Sequence, residues 1–208
     1  METSQRRINL ILNALMKTEG VAAQDEHCSR VSSINRKALN LHETSAEDID
    51  GFIKCYGNHA RPFQEWAIGQ RYITKRRTIP DADIINYTHL TGYDAENLFG
   101  DMVYLKETAG HDRRLVPGML TGSIADALIV GSGILEGYAV ALVSINNFRA
   151  LAPVYAGDTI QVEMEVTKVK PSKSKKDRGI VTTYQKVKNQ DGKVVVEYEV
   201  SRMIRRSS

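Results

Sequence analysis

The sequence predicts an α+β domain in which an antiparallel sheet wraps around one buried helix, with a helical extension in front of it. Three observations carry this reading. The C-terminal third alternates apolar and polar residues through successive segments separated by turn residues. Residues 117–133 are rich in small and apolar side chains and hold a single charge, Asp126, so a helix there must be surrounded by protein. The first sixty residues lack the alternation and place apolar residues at helical spacing instead.

In chain order, Ile8, Ile11, Leu12, Leu15 and Met16 define an amphipathic helix over 4–17 that ends at Gly20. Ser45 can cap a second helix carrying Ile49, Phe52, Ile53 and Tyr56 on one face. Residues 18–44 between them are polar and give no pattern. The strand formers Tyr72, Ile73, Thr74 and Thr78 mark a strand within 69–79 that stops at Pro80. A short helix follows from Asp81, with acids at its positive end, and closes at Gly92. Pro117 opens the buried helix, in which Gly118, Gly122, Ser123, Ala125 and Ala127 allow sheet backbone to come close. Four strands are expected at 139–148, 159–170, 180–188 and 193–203, the last two joined by the turn Asn189-Gln190-Asp191-Gly192. The expected domains are therefore a helical extension at 1–62 and a sheet-and-helix domain at 63–208.

Composition excludes several classes. The chain has 208 residues, 42% of them apolar and 25% charged, with 15 glycines and 5 prolines, which is neither collagen-like nor low-complexity. No apolar run approaches the ~20 residues of a membrane span, so no membrane partner is expected. Cys28 and Cys55 give neither metal spacing nor a disulfide framework, and two free thiols in a reducing, cytoplasmic setting are expected. The N-terminus lacks a secretory core, and Glu2, Glu19, Asp25 and Glu26 weigh against a transit peptide. The net charge of +3 is concentrated in 168–178 and in a tail with Arg202, Arg205 and Arg206. The first run has six bases, one acid and no aromatic on which a nucleobase could stack, so no nucleic-acid partner is expected. It reads as a solvated strand connection, with a rim for a phosphate-bearing ligand as the functional alternative.

Three stretches carry a resemblance. Asp83-Ile84 through Leu90-Thr91-Gly92, then Val116-Pro117-Gly118-Met119-Leu120-Thr121-Gly122-Ser123, then Asn147-Phe148-Arg149 through Gly157-Asp158-Thr159-Ile160 resemble the MaoC-like dehydratase and (R)-specific enoyl-CoA hydratase family of the hot-dog fold. The resemblance covers about 63–205. It implies an enzyme or binder for acyl thioesters, commonly acyl-CoA, that works as a dimer with sheets joined edge to edge. No cofactor or metal is implied.

The family's hydratases use an Asp and a His five residues apart to exchange protons as water is added to, or removed from, the double bond next to the thioester carbonyl. Here the segment is Tyr93-Asp94-Ala95-Glu96-Asn97-Leu98-Phe99. With one extra residue allowed, Asp94 matches the family Asp and Phe99 stands where the family has His. Three explanations remain open. A nearby group can stand in: His111, His89, or Glu96 and Asp101 working with Asp94. A second MaoC-like chain can supply the missing group in a heterodimer. Or the chain binds acyl thioesters without chemistry. The candidate catalytic set is Asp94, Gly118, His111 and Glu96, with the Gly118 amide at a helix N-terminus facing the thioester carbonyl. The candidate substrate-binding set is Tyr93, Phe99, Pro117, Met119 and Arg149, with Lys173–Lys176 as a possible phosphate contact. The function expected from the resemblance is an acyl thioester hydratase or dehydratase; the alternative is a non-catalytic MaoC-like subunit paired with an active homologue.

Overall fold

The computed structural model describes residues 48–49, 51–55, 60–93 and 95–207. The helix expected at 4–17, Cys28 and Asp94 lie outside them. The described residues belong to one compact unit, Ser45–Ser208. Its strands are β1 (Asp48–Ile49), β2 (Phe52–Lys54), β3 (Arg71–Ile73), β4 (Arg77–Thr78), β5 (Ala139–Ala150), β6 (Thr159–Pro171), β7 (Arg178–Lys188) and β8 (Val194–Arg205). Its helices are α1 (Asp81–Thr91), α2 (Glu96–Phe99), α3 (Met102–Glu107) and α4 (Gly118–Val130), with a 3-10 turn at Phe63–Glu65.

Two expectations are corrected. The segment read as a helix from Ser45 is the hairpin β1–β2, with Ile49 opposite Phe52. Gly51 sits at φ +78°, a conformation that reverses the chain and that no helix contains. β2 then pairs in parallel with β3, Ile53 opposite Tyr72, so the sheet domain takes in residues assigned to the extension. The strand expected over 69–79 is broken into β3 and β4, both of which pair with β6. Helices α2 and α3 fill a stretch in which the sequence suggested only site residues. Asp101 caps α3, its Oδ1 accepting from the amides of Val103 (2.9 Å) and Tyr104 (3.0 Å).

The sheet order is β1-β2-β3-β6-β7-β8-β5, and apart from β2–β3 its pairs are antiparallel. Period-2 alternation sends Ile160, Val162, Met164 and Val166 of β6, Val181 and Val187 of β7, and Val196, Tyr198, Val200 and Ile204 of β8 into the core. Helix α4 lies against this face through Leu120, Ile124, Ala125 and Ile129, all buried. Each fully buried Leu or Ile is worth about 1.5–3 kcal/mol, so the helix is bound to the sheet chiefly by its apolar side chains. This antiparallel sheet wrapped around one helix is the hot-dog fold.

Two further contacts set where the helix sits. A Cβ at Gly122 would lie 2.6 Å from the Phe148 ring, so the ring occupies the space that glycine leaves. Phe148 reaches that position from a bulge in β5, where Asn147 adopts φ +53° and the pairing register shifts between Asn146 and Arg149. Asp126, the helix's single charge, pairs with Arg202 of β8, whose side chain is 8% exposed. Cys55 is a buried free thiol; desolvation pushes it up to about 12, so it stays protonated and unreactive at neutral pH.

Two predictions test these constraints. Gly179 of β7 has the Phe63 ring 2.2 Å and the Lys170 carbonyl oxygen 2.8 Å from where a Cβ would be. Gly179→Ala should destabilise the protein by about 1–3 kcal/mol in urea unfolding, while Gly118→Ala, whose Cβ would meet Ala150 at an ordinary 3.8 Å, should leave the midpoint nearly unchanged. Asp126→Ala should cost roughly 3 kcal/mol by stranding the Arg202 charge, and Asp126→Leu combined with Arg202→Met should recover most of it.

Candidate functional site

The start of α4 is held from both sides. The Val116 amide donates to the Val154 carbonyl (2.8 Å) and the Ala156 amide to the Arg114 carbonyl (2.9 Å), with Leu115 bridged to Tyr155. The loop before the helix is thereby zipped to the loop after β5. Pro117, buried, occupies the N-cap position without any side-chain cap. The amides of Gly118, Met119 and Leu120 therefore have no intrahelical acceptor, and the 13-residue helix directs the positive end of its dipole through them. Such a helix start can polarise a carbonyl or hold an oxyanion. Gly118 is half-buried and Met119 is 52% exposed, so a ligand can approach from the side of Met119.

The second part of the site is the segment after α1. Gly92 ends that helix in the left-handed region at φ 64°, turning the chain towards α2. Tyr87, Tyr93 and Phe99 form a stepped row, with ring centroids 5.9 Å apart for Tyr87–Tyr93 and 5.6 Å for Tyr93–Phe99. Phe99 also borders an open cavity of about 510 Å³ with Ile85, Thr88, His89, Gly92, Gly100 and Arg114. Arg114 is fixed there: its Nε donates to Asp81 Oδ1 (2.8 Å) and its Nη1 to the carbonyls of Phe99 and Gly100. None of Pro117, Gly118 and Met119 borders this cavity.

His111 takes part in a network that the sequence did not suggest. Its Nδ1 is 2.9 Å from the Tyr155 hydroxyl, and the Arg113 guanidinium lies over the Tyr155 ring at 4.7 Å. Arg113 pairs with Asp158 at 2.8 Å, and Asp158, 3% exposed, also accepts from the Tyr155 amide (3.0 Å) and from Gln190 (3.3 Å). Three loops, those before α4, after β5 and between β7 and β8, are thus tied at one buried carboxylate. A buried carboxylate accepting three bonds is stable only while those donors are present, which makes this network the brace of the helix start. His111 and Tyr155 are 44 residues apart, a separation that no periodicity encodes.

The expected site residues do not gather at one place; His111 belongs to the Asp158 network. Pro117, Gly118 and Met119 form the helix start, and Tyr93 and Phe99 share the aromatic row. Asp94 and the side chain of Glu96 lie outside the described residues. Arg149 is a correction within the single chain: Phe148 and Ala150 face Gly122 and Gly118, so Arg149 between them points to the opposite face of the sheet. There it is 67% exposed and pairs with Glu197 at 3.0 Å. Asp101 is corrected too, since its carboxylate is committed to capping α3. His89 is exposed at the end of α1 and borders the cavity beside Phe99. Among the described residues no group of three or more His, Cys, Asp or Glu side chains is placed to hold a metal ion, and no helix is long and apolar enough to cross a membrane.

Residues 63–190 match the family described as MaoC like domain. Protein MaoC of Klebsiella aerogenes is 32% identical over 112 residues, a stretch covering 49% of this chain and 29% of that protein. The mitochondrial 3-hydroxyacyl-(acyl-carrier-protein) dehydratase FERN of Solanum lycopersicum is 30% identical over 132 residues, 64% of this chain and 74% of its own. Among solved structures, the unliganded R-hydratase PhaJ1 from Pseudomonas aeruginosa superposes with a TM-score of 0.57 at 27% identity, covering 70% of this chain and 86% of the other. The chain thus spans less than a third of Protein MaoC and most of the tomato protein. The sheet, the buried helix with its bare N-terminus and the match over 63–190 agree, and the chain belongs to the MaoC-like domain family.

Proposed function

We propose that the chain is a hydro-lyase that adds water across the double bond of an enoyl thioester, or removes it from a 3-hydroxyacyl thioester, with acyl-CoA as the substrate class. The observation that carries this reading is the start of α4, where uncapped amides at Gly118 meet the end of β5 and are braced by the network around Asp158. In the hydration direction the thioester carbonyl oxygen accepts from the Gly118 amide. Asp94 takes a proton from water as its oxygen bonds to C3. The electron pair of the double bond passes to an enolate whose negative charge grows at the helix N-terminus. A second group then delivers a proton to C2. Glu96 and His111 are the candidates; Nδ1 of His111 is already engaged by Tyr155, so its proton exchange would run through Nε2. Proton transfer and a polarised carbonyl suffice for this reaction. The chain's similarity to a tomato 3-hydroxyacyl-(acyl-carrier-protein) dehydratase and to an R-hydratase supports this reading.

One observation favours a second reading. Phe99, which the resemblance sets at the family's histidine position, is packed against Tyr93 and offers no proton. A chain so altered fits a MaoC-like subunit that binds acyl thioesters and pairs with an active homologue. In either case β5 is the surface for a second chain. It is the edge of the sheet, it runs for 12 residues, and Val140, Leu142, Val143 and Ile145 on it are 43–55% exposed. An edge that long and apolar needs covering. The free thiol of Cys55 fits a reducing, cytoplasmic setting.

Purified alone, the chain should hydrate short enoyl-CoA thioesters, followed by loss of the enoyl absorbance, and Asp94→Asn should lower kcat by about 10²–10⁴-fold without changing the unfolding midpoint. No turnover across a broad thioester panel, with activity appearing only when a second MaoC-like chain is added, would select the subunit reading. Sedimentation should give a dimer, and Val143→Lys with Ile145→Lys should shift it to monomer; a monomeric parent would remove β5 as the contact.

A further inference from the structure

One flank of the first turns of α4 carries no side chain. Leu120, Thr121, Ile124 and Ala125 are buried against the sheet, while Met119 and Ser123 face solvent. Between these two faces runs the flank of Gly118 and Gly122, which lies against β5. At Gly118 the space is open: a carbon placed there meets, among the described residues outside its own turn, only the Ala150 methyl at an ordinary 3.8 Å. At Gly122 it is filled, since a Cβ would come within 2.6 Å of Cε2 and 3.1 Å of Cζ of the Phe148 ring. Glycine inside a helix is destabilising relative to alanine, and here the ring is the steric reason for it. Phe148 thus stops the groove between α4 and β5 four residues, or about 6 Å of helix, from Gly118.

What lies behind the ring is polar. Tyr198 of β8, 1% exposed, packs on Phe148 with ring centroids 5.6 Å apart, and its hydroxyl has no hydrogen-bond partner among the described residues. Gln185, opposite Tyr198 on β7 and fully buried, has an Oε1 atom that lacks one as well. One turn of α4 beyond Gly122, Asp126 pairs with Arg202. A hydrocarbon chain pushed past Phe148 would displace a packed ring and then meet two unpaired polar atoms and an ion pair. Such surroundings give an alkyl chain no apolar lining, and parting the ion pair to make room would strand two charges.

We infer that Phe148 sets the length of the acyl group and limits the substrates to thioesters of short acyl chains. With the carbonyl at the Gly118 amide, where the hydro-lyase reading places it, the coenzyme A arm leaves on the side of Met119, which is 52% exposed. The acyl group enters the flank that Gly118 leaves open beside Ala150 and ends at the ring over Gly122. About 6 Å of groove holds an acyl group of about four or five carbons. Phe148 is thereby a specificity-determining residue. Its place comes from the bulge in β5, where Asn147 at φ +53° shifts the register and aims the ring at the helix.

Initial rates of the full chain with enoyl-CoA esters of four and eight carbons test this. The parent should favour the four-carbon ester in kcat/KM by at least about a hundredfold, and Phe148→Ala should narrow that ratio at least about tenfold. Phe148→Leu keeps the core covered, and it should move the ratio the same way even if the alanine variant does not fold. Adding Tyr198→Phe, which removes the unpaired hydroxyl, should move it further. A parent that turns over both esters equally, or folded variants at 148 that keep the parental ratio, overturns the role of Phe148. Calorimetric binding of saturated butanoyl-CoA and octanoyl-CoA needs no turnover. The parent should bind octanoyl-CoA no more tightly than butanoyl-CoA, whereas Phe148→Leu should bind octanoyl-CoA at least about tenfold more tightly than the parent does, as the added methylenes become buried. A chain without hydratase activity that shows this binding pattern fails the hydro-lyase reading alone. Tighter binding of octanoyl-CoA than of butanoyl-CoA by the parent overturns the length limit, whatever the activity.

Discussion

The seating of α4 on the sheet is the contact on which the rest of the structure depends. The helix is almost free of charge and must be covered, and the sheet can cover it only because glycine stands at 122, where Phe148 lies, and because Asp126 has Arg202 to pair with. Both contacts are one-sided in their consequences. A methyl at Gly122 meets a ring held by a bulge, and loss of Asp126 strands a charge in the core. They fix the helix in translation and rotation, and so decide where its first amides point.

Those amides matter because no acceptor among the described residues uses them. A helix N-terminus is normally capped by Ser, Thr, Asp or Asn; here the N-cap is Pro117, which cannot cap with its side chain. The surrounding loops are meanwhile tied down at Asp158 by Arg113, the Tyr155 amide and Gln190. A bare, rigid helix start is what carbonyl polarisation requires, since donors that need not reorganise stabilise growing charge best. Asp101 shows the contrast, being a carboxylate in the same region spent on capping α3.

Much of the domain could be read from residues alone, and the reason is physical. β6, β7 and β8 are half-buried strands, so alternation survives in the sequence, and α4 is surrounded, so its lack of charge does too. Spacing is ambiguous at the hairpin β1–β2. Ile49, Phe52 and Ile53 fit a helical face as well as a hairpin, and Gly51 at positive φ decided for the hairpin. Register shifts are equally invisible in spacing: the bulge at Asn147 controls which residues of β5 face the helix, and so turns Arg149 outward. The pairs His111–Tyr155, Arg113–Asp158 and Asp126–Arg202 join residues 44 to 76 apart, and the fold alone brings them together. Phe99, which the resemblance sets at the family's histidine position, belongs in the structure to an aromatic row with Tyr93 and Tyr87.

The proposed hydro-lyase chemistry requires the start of α4 to receive the thioester carbonyl. A crystal structure of the full chain with a saturated acyl-CoA, which cannot be hydrated, measures this directly. The carbonyl oxygen should lie about 2.7–3.2 Å from the Gly118 amide nitrogen. An acyl group seated instead in the cavity beside Phe99 and Arg114, with its carbonyl making no contact at the helix start, would contradict it.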